Sequence, residues 1–380
     1  MSGYDTLLVC RPGLPLDQLE RLRQNFKTVH LYPLPVESVP ADVLASVDIA
    51  FVPMKGFPEC ITSLGEMPNL KHIQVGCTGL EKLLRNPCIL NATAEQLSRV
   101  SLANSAGGYC STMPNFVLNY ITGLYNYIPN QIYVQRVQQT WSPEAVMRDV
   151  GRSGTYTAKP IMGKTMGFLG YGALGREFAR MCSIFPRVRL LAANSDGQRK
   201  MEDGYILPGT GDAEGVLYHT LCDVHRLICV LITAKLPEKM YSASDPASLK
   251  AFLSECDVLV ACLPSTRHTR YLLDAEKLSW MKPDGIFINV GRGDLIKSEE
   301  VLKAVDVKNG LRGAALDVTD PEPLPDGHPL WSHPRIMITP HISGDPDGEK
   351  EMTTDILLYN LERLRAGAKP CNYADWSRGY

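Results

Sequence analysis

The chain has 380 residues, 44% hydrophobic and 21% charged, a composition that excludes general disorder and leaves ample material for the cores of two domains. A formal net charge of −2, with no long Lys/Arg block, argues against a nucleic-acid partner. No apolar run is long enough to span a bilayer, and the opening Met1-Ser2-Gly3-Tyr4-Asp5 lacks the layout of a secretory signal, so a cytoplasmic protein with no membrane partner is expected.

In chain order, 6–10 reads as a strand, 17–26 as a helix with Leu19, Leu22 and Phe26 on one side, and 29–32, 47–53 and 70–75 as further strands, with room for a short helix over 59–67. Alternating short elements of this kind describe a small open α/β sheet. The following Gly76-Cys77-Thr78-Gly79 is either a loop presenting backbone N–H groups to an anion or a plain strand-to-helix turn, and the residues leave both open. After a strand at 100–103 and a turn at 104–109, the stretch 113–127 is strongly helical, with Phe116, Val117, Ile121 and Leu124 at core spacing. It is too apolar for a surface helix and is expected to cross between two domains. A second helix is expected over 131–141 and a polar loop over 148–157.

A glycine turn follows. The apolar run Met166 to Leu169 meets Gly170, Gly172 and Gly175, with Tyr171, Ala173 and Leu174 between them, and an amphipathic pattern with Phe178, Met181 and Cys182 comes next. Strand, tight turn and helix are the context in which G-x-G-x-x-G holds a dinucleotide. One glycine permits the turn, one admits the pyrophosphate to the backbone, and one lets helix and strand pack closely, while the helix N-terminus attracts the phosphate. A second strand over 187–193 ends at Asn194-Ser195-Asp196, with Arg199 and Lys200 just beyond. An acid about 20 residues past the last glycine bonds a ribose 2′-hydroxyl. Neutral Asn194 and Ser195 with nearby Arg199 suit a 2′-phosphate instead, which favours NADP(H), while Asp196 keeps NAD(H) open.

The stretch 197–246 is unlike the rest. Within it 217–235 turns suddenly apolar, which reads as an inserted strand or as sequence foreign to the fold, such as a translated retained intron. Alternation resumes with a helix at 247–253 and continuous apolar strands at 257–263, 286–290, 313–318 and 336–339, the pattern of a parallel sheet covered on both faces. Leu263, Pro264 and Thr269, then Val290 and Gly291, lie at the carboxyl ends of these strands and are assigned to the cofactor.

Three of the strands run out into Arg292, Glu322 and His341. Singly, each reads as a surface cation, a loop acid or a turn residue. Together, at the sheet edge where such folds bind ligands, they form a chemical set. Hydride transfer to a 2-keto acid requires a proton for the carbonyl oxygen, which a histidine supplies best beside a carboxylate, and an arginine fork orients the substrate carboxylate.

The sequence resembles the D-isomer-specific 2-hydroxyacid dehydrogenase family over nearly its whole length. The resemblance is carried by the glycine turn, Asn289-x-x-Arg292-Gly293, Asp317-Val318 with Glu322-Pro323, and Pro340-His341. It implies an α/β fold with a Rossmann-type doubly wound parallel sheet over 107–344, in which 197–246 is an unusual insertion. A smaller flavodoxin-like substrate domain is implied for 1–106 and 345–380, with a cleft between the domains and a homodimer. It also implies that Arg292, Glu322 and His341 are catalytic, that Asp317 contacts the nicotinamide end, and that Cys77, Thr78 and Gly79 are the substrate-carboxylate loop. The stretch 204–212 looks closest to fungal members. Tyr109 and Asn115 stand where the family usually has a His and a Glu. The expected activity is reduction of a 2-keto acid, glyoxylate- or hydroxypyruvate-like or bulkier, to its D-2-hydroxy acid. The alternatives are a dinucleotide-sensing corepressor-like interaction protein and a formate or phosphite dehydrogenase relative.

Overall fold

The computed structural model of the chain describes residues 3–151, 155–198 and 237–376. They fall into two compact units, one made of 3–108 with 346–376 and the other of 109–151, 155–198 and 237–345.

The first unit is built on β1 (Thr6–Val9), β2 (Thr28–Leu31), β3 (Ile49–Val52), β4 (His72–Val75) and β5 (Ser101–Ala103). They lie parallel in the order β2-β1-β3-β4-β5, and a short antiparallel strand, Tyr373–Ala374, closes the β5 edge. This is the flavodoxin-like doubly wound order. Alternation along β1 sends Leu7 and Val9 to a core with Leu22, Phe26, Leu357 and Leu361, and Leu8 to the opposite core with Leu44, Ala50, Ile73 and Leu102. Fully burying each such side chain is worth roughly 1.5–3 kcal/mol.

In the second unit the strands are β6 (Thr165–Leu169), β7 (Arg189–Asn194), β8 (Lys239–Ser242), β9 (Val258–Ala261), β10 (Ile286–Asn289), β11 (Gly313–Leu316) and β12 (Ile336–Ile338). The order is β8-β7-β6-β9-β10-β11-β12, parallel throughout. It is the Rossmann arrangement with one strand added, and its winding reverses between β6 and β9. Every residue of β6, β9, β10 and β11 is buried. Met166 and Phe168 face the helices Met113–Tyr125 and Ala173–Cys182, whereas Leu169 joins Phe252, Leu253 and Val301 on the other face. Gly167 lets the helix Pro246–Glu255 sit close, because a Cβ there would lie 2.2 Å from Cys256 Sγ.

The strongly apolar 113–127 stretch is the buried helix Met113–Tyr125, which belongs to the second unit. Several elements differ from the sequence reading. The helix expected over 131–141 is Ile128–Tyr133 followed by a π-helical turn, Val134–Gln138, which ends at Gln139 in a left-handed conformation. The helix Pro143–Asp149 runs into the expected polar loop, because Ser142 caps it by accepting from the Ala145 N–H and Pro143 suits its first turn. Part of 197–246 is regular sheet, since β8 pairs with β7. The segments 204–212 and 217–235 lie outside the described residues.

His72 is fully buried in β4, with Nδ1 2.8 Å from Ser101 Oγ and Nε2 facing Gln74. Burial pushes its pKa down from 6.5 to about 4. The folded state therefore holds a neutral ring where the unfolded chain binds a proton. The resulting stability is full above pH 6.5 and declines as the pH falls through that window to about 4, by roughly 3 kcal/mol in all. Urea denaturation across this range will show the decline in the wild type and a flatter profile in His72→Gln; parallel profiles would refute the assignment.

Candidate functional site

Two of the three motif glycines are required by packing. Gly170 has φ +104°, donates its N–H to Ala193 O at 2.8 Å, and has the Cys262 carbonyl 3.1 Å from where a Cβ would stand. A Cβ on Gly175 would lie 2.2 Å from Gly170 O, so this glycine lets the helix Ala173–Cys182 close onto the turn. Gly172 differs. It caps the helix, is exposed, and a Cβ on it would meet nothing within 4 Å. Its open side lies before a helix N-terminus, where backbone N–H groups favour a phosphate. Tyr171, Ala173 and Leu174 are half-buried around it. The turn therefore fits a dinucleotide pyrophosphate.

At the end of β7, Asn194 Oδ1 accepts from the Gly197 N–H at 2.7 Å and Nδ2 donates to Gln198 O at 2.6 Å. Its amide closes the turn with both ends. Ser195 is exposed, and its carbonyl accepts from Ser242 Oγ at 3.0 Å. Arg199 lies outside the described residues. Beyond β9, Thr269 Oγ1 donates to Pro264 O at 2.6 Å and accepts from the Thr266 N–H at 2.8 Å. The ends of β9 and β10 touch: a Cβ on Gly291 would lie 2.6 Å from Leu263 O, beside the buried Val290.

Arg292, Glu322 and His341 follow β10, β11 and β12, which are neighbours in the sheet. The buried Asn289 shapes the first of these loops, with Oδ1 accepting from the Gly291 N–H at 3.1 Å and Nδ2 donating to Arg292 O at 2.9 Å. Half-buried Arg292 donates from Nη1 to Gly291 O at 2.8 Å. A Cβ on Gly293 would stand 1.8 Å from Thr319 O, so only glycine fits there. His341 Nδ1 and Glu322 Oε1 are 2.7 Å apart, with side chains 47% and 41% exposed. An imidazole paired in this way can carry a proton to and from a substrate oxygen.

His341 has φ +55°, and its N–H donates to Asp317 O and Thr339 O at 2.9 and 3.0 Å. The buried Asp317 carboxylate accepts from Thr339 Oγ1 at 2.5 Å, the Ile342 N–H at 3.0 Å, the Ser343 N–H at 3.2 Å and Ser343 Oγ at 2.6 Å. Asp317, which family resemblance assigns to the nicotinamide end, holds with these oxygens the loop that carries His341. Sequence reasoning missed Asn289 as a shaping residue, together with Thr339, Ser343 and Tyr120. For Asn289, Thr339 and Ser343 the available signal was polarity at the mouth of strands that are otherwise apolar; Tyr120, on the helix Met113–Tyr125, offered none.

In the first unit, Cys77 O accepts from the Ser105 N–H and Thr78 O from Asn104 Nδ2, both at 2.9 Å, and Cys77 Sγ donates to Gly79 O at 3.1 Å. Carbonyls along this loop are thus tied from behind. A Cβ on Gly76 would lie 2.5 Å from Arg11 Nε, and the buried Arg11 donates to Thr353 and pairs with Glu349. In the second unit, exposed Asn115 donates to Ser111 O at 3.3 Å, and Tyr109 packs against the apolar core.

Residues 226–343 match the family model described as D-isomer specific 2-hydroxyacid dehydrogenase, NAD binding domain. The chain is 29% identical over 316 residues to an uncharacterized protein in the proB 3′ region of Corynebacterium melassecola, covering 82% of this chain and 84% of that protein. It is 36% identical over 154 residues to glyoxylate/hydroxypyruvate reductase A of Photorhabdus laumondii, covering 40% of this chain and 48% of that one. Its fold is similar to the crystal structure of a D-isomer specific 2-hydroxyacid dehydrogenase from Xanthobacter autotrophicus in complex with NADPH and MES. That likeness has a TM-score of 0.69 at 22% identity and covers 99% of this chain and 100% of the other.

The contrast between the glycines is testable. Gly172→Ala will keep the wild-type melting temperature and weaken NADPH binding about tenfold, equivalent to ~1.4 kcal/mol. Gly175→Ala will lower the melting temperature, because its Cβ meets backbone. Calorimetric titration and thermal unfolding separate the two, and a Gly172→Ala protein with wild-type affinity would refute the phosphate assignment.

Proposed function

We propose that this chain is an NAD(P)-dependent oxidoreductase of the D-isomer specific 2-hydroxyacid dehydrogenase family, whose NAD-binding-domain model 226–343 match, and that it reduces a small 2-keto acid to its D-2-hydroxy acid through Arg292, Glu322 and His341. The observation that carries the reading is the 2.7 Å pair of His341 Nδ1 and Glu322 Oε1, on a strand end two places from that of Arg292. Residues 170–175, with Leu263, Pro264, Thr269, Val290 and Gly291, would hold the dinucleotide, which would supply the hydride. With Nδ1 engaged by Glu322, His341 delivers the proton from Nε2 to the carbonyl oxygen, and Glu322 stabilises the charged ring before the proton leaves. Arg292 offers its planar fork to the substrate carboxylate and holds the keto carbon for attack. In this reading the first unit is the substrate domain, with Cys77, Thr78 and Gly79 as its carboxylate loop, and the second binds the dinucleotide.

Glyoxylate and hydroxypyruvate are the first substrates to try, in keeping with the similarity to the Photorhabdus reductase. NADP(H) is the preferred cofactor in this proposal. A neutral Asn194-Ser195 at the end of β7 spares a 2′-phosphate the repulsion of an acid, and the similar Xanthobacter structure contains NADPH.

Consumption of NADPH with a keto-acid panel tests the proposal. Arg292→Ala will lower kcat/KM by about 100-fold, and His341→Gln by roughly 10²–10⁴-fold, with NADPH affinity retained in both. Intact turnover in Arg292→Ala, or a wild-type protein inert toward every keto acid, would sink the assignment.

A further inference from the structure

The groups behind His341 form a chain of hydrogen bonds with one direction. Thr339 gives its single hydroxyl proton to Asp317 Oδ1, 2.5 Å away. The 2.5 Å contact between Thr339 Oγ1 and Tyr120 Oη is therefore donated by the tyrosine. Tyr120 is 2% exposed on the helix Met113–Tyr125, far in sequence from the loop it reaches. Burial pushes its phenol up to about 12, so it remains a donor through the neutral range. At the other end of the chain, the Asp317 carboxylate gathers the N–H groups of Ile342 and Ser343 and the Ser343 hydroxyl, and the Asp317 carbonyl takes the His341 N–H. His341 itself sits at φ +55°, a left-handed conformation that its surroundings must enforce.

We propose that Tyr120 is a positioning residue for His341, fixing the 341–343 loop through Thr339 and Asp317 and with it the approach of the imidazole to Glu322 and to substrate. The inference rests on the reading of His341 as the proton donor. Without the phenol, the Thr339 oxygen loses a buried donor, the Thr339 hydroxyl is freer to turn from Asp317, and the loop is less restrained. A displacement of about 1 Å at a reacting group is enough for a large loss of rate.

The test uses the full-length protein and has one readout that needs no turnover. In Tyr120→Phe, the amides of Ile342 and Ser343 will exchange with solvent about tenfold faster. Its kcat for keto-acid reduction will fall on the order of tenfold while KM for NADPH holds, and the same change in a His341→Gln background will cost nothing further. Thr339→Val, which breaks the chain at its middle, will reproduce these effects, and Thr339→Ser will restore them, so a poorly folding Tyr120→Phe protein does not block the test. Unaltered exchange, an unaltered kcat, or an equal loss on top of His341→Gln would each overturn the proposal. Failure of the functional reading is seen separately, as a wild-type protein that consumes no NADPH. Exchange at 342 and 343 would then still decide whether Tyr120 holds the loop, and the catalytic half of the proposal would fall.

Discussion

A parallel sheet covered on both faces has no room for an unpartnered polar side chain along its strands, and this constraint shapes the second unit. Its central strands are buried from end to end, so ionisable side chains are exported to the loops at their carboxyl ends. Burying an unpaired polar group costs several kcal/mol, whereas at a strand end the backbone leaves the sheet and its donors and acceptors become available. Arg292, Glu322 and His341 occupy such ends in spatial order because β10, β11 and β12 are adjacent and parallel.

The loops are held by polar atoms buried just beneath them. Asn289 closes the turn before Arg292 with both ends of its amide, and Asp317 gathers the loop around His341. A buried carboxylate is a costly group unless its oxygens are filled. Here its donors come mainly from the loop carrying the histidine, so the energy that satisfies Asp317 also positions the ring. Glycine complements this by absence: at 175, 291 and 293 a Cβ would strike backbone at 2.6 Å or less, and these contacts bring neighbouring loops together.

Much of this was legible in the chain. The apolar runs located most strands to within a residue or two, because a strand buried on both faces admits few polar residues. Glycine spacing located the tight turn between β6 and the helix Ala173–Cys182, and Arg292, Glu322 and His341 stood out as ionisable residues where apolar strands stop. The short helix Pro143–Asp149 was less visible, since its determinants are a capping serine and a proline and not an apolar period. Strand β8 was hidden by its unusual surroundings and by its place at the sheet edge, where only one neighbour constrains it.

Residue order by itself determined the α/β class, the glycine turn and the identity of the ionisable trio, because these depend on periodicity and on residues close in the chain. Tertiary structure decided which oxygen meets which donor. Sequence spacing carries no record that Tyr120 reaches Thr339, or that Asp317 accepts from Ile342 and Ser343. Those contacts join residues 25 to 219 positions apart, and they exist only because the sheet brings β11 and β12 together and packs the helix Met113–Tyr125 against them.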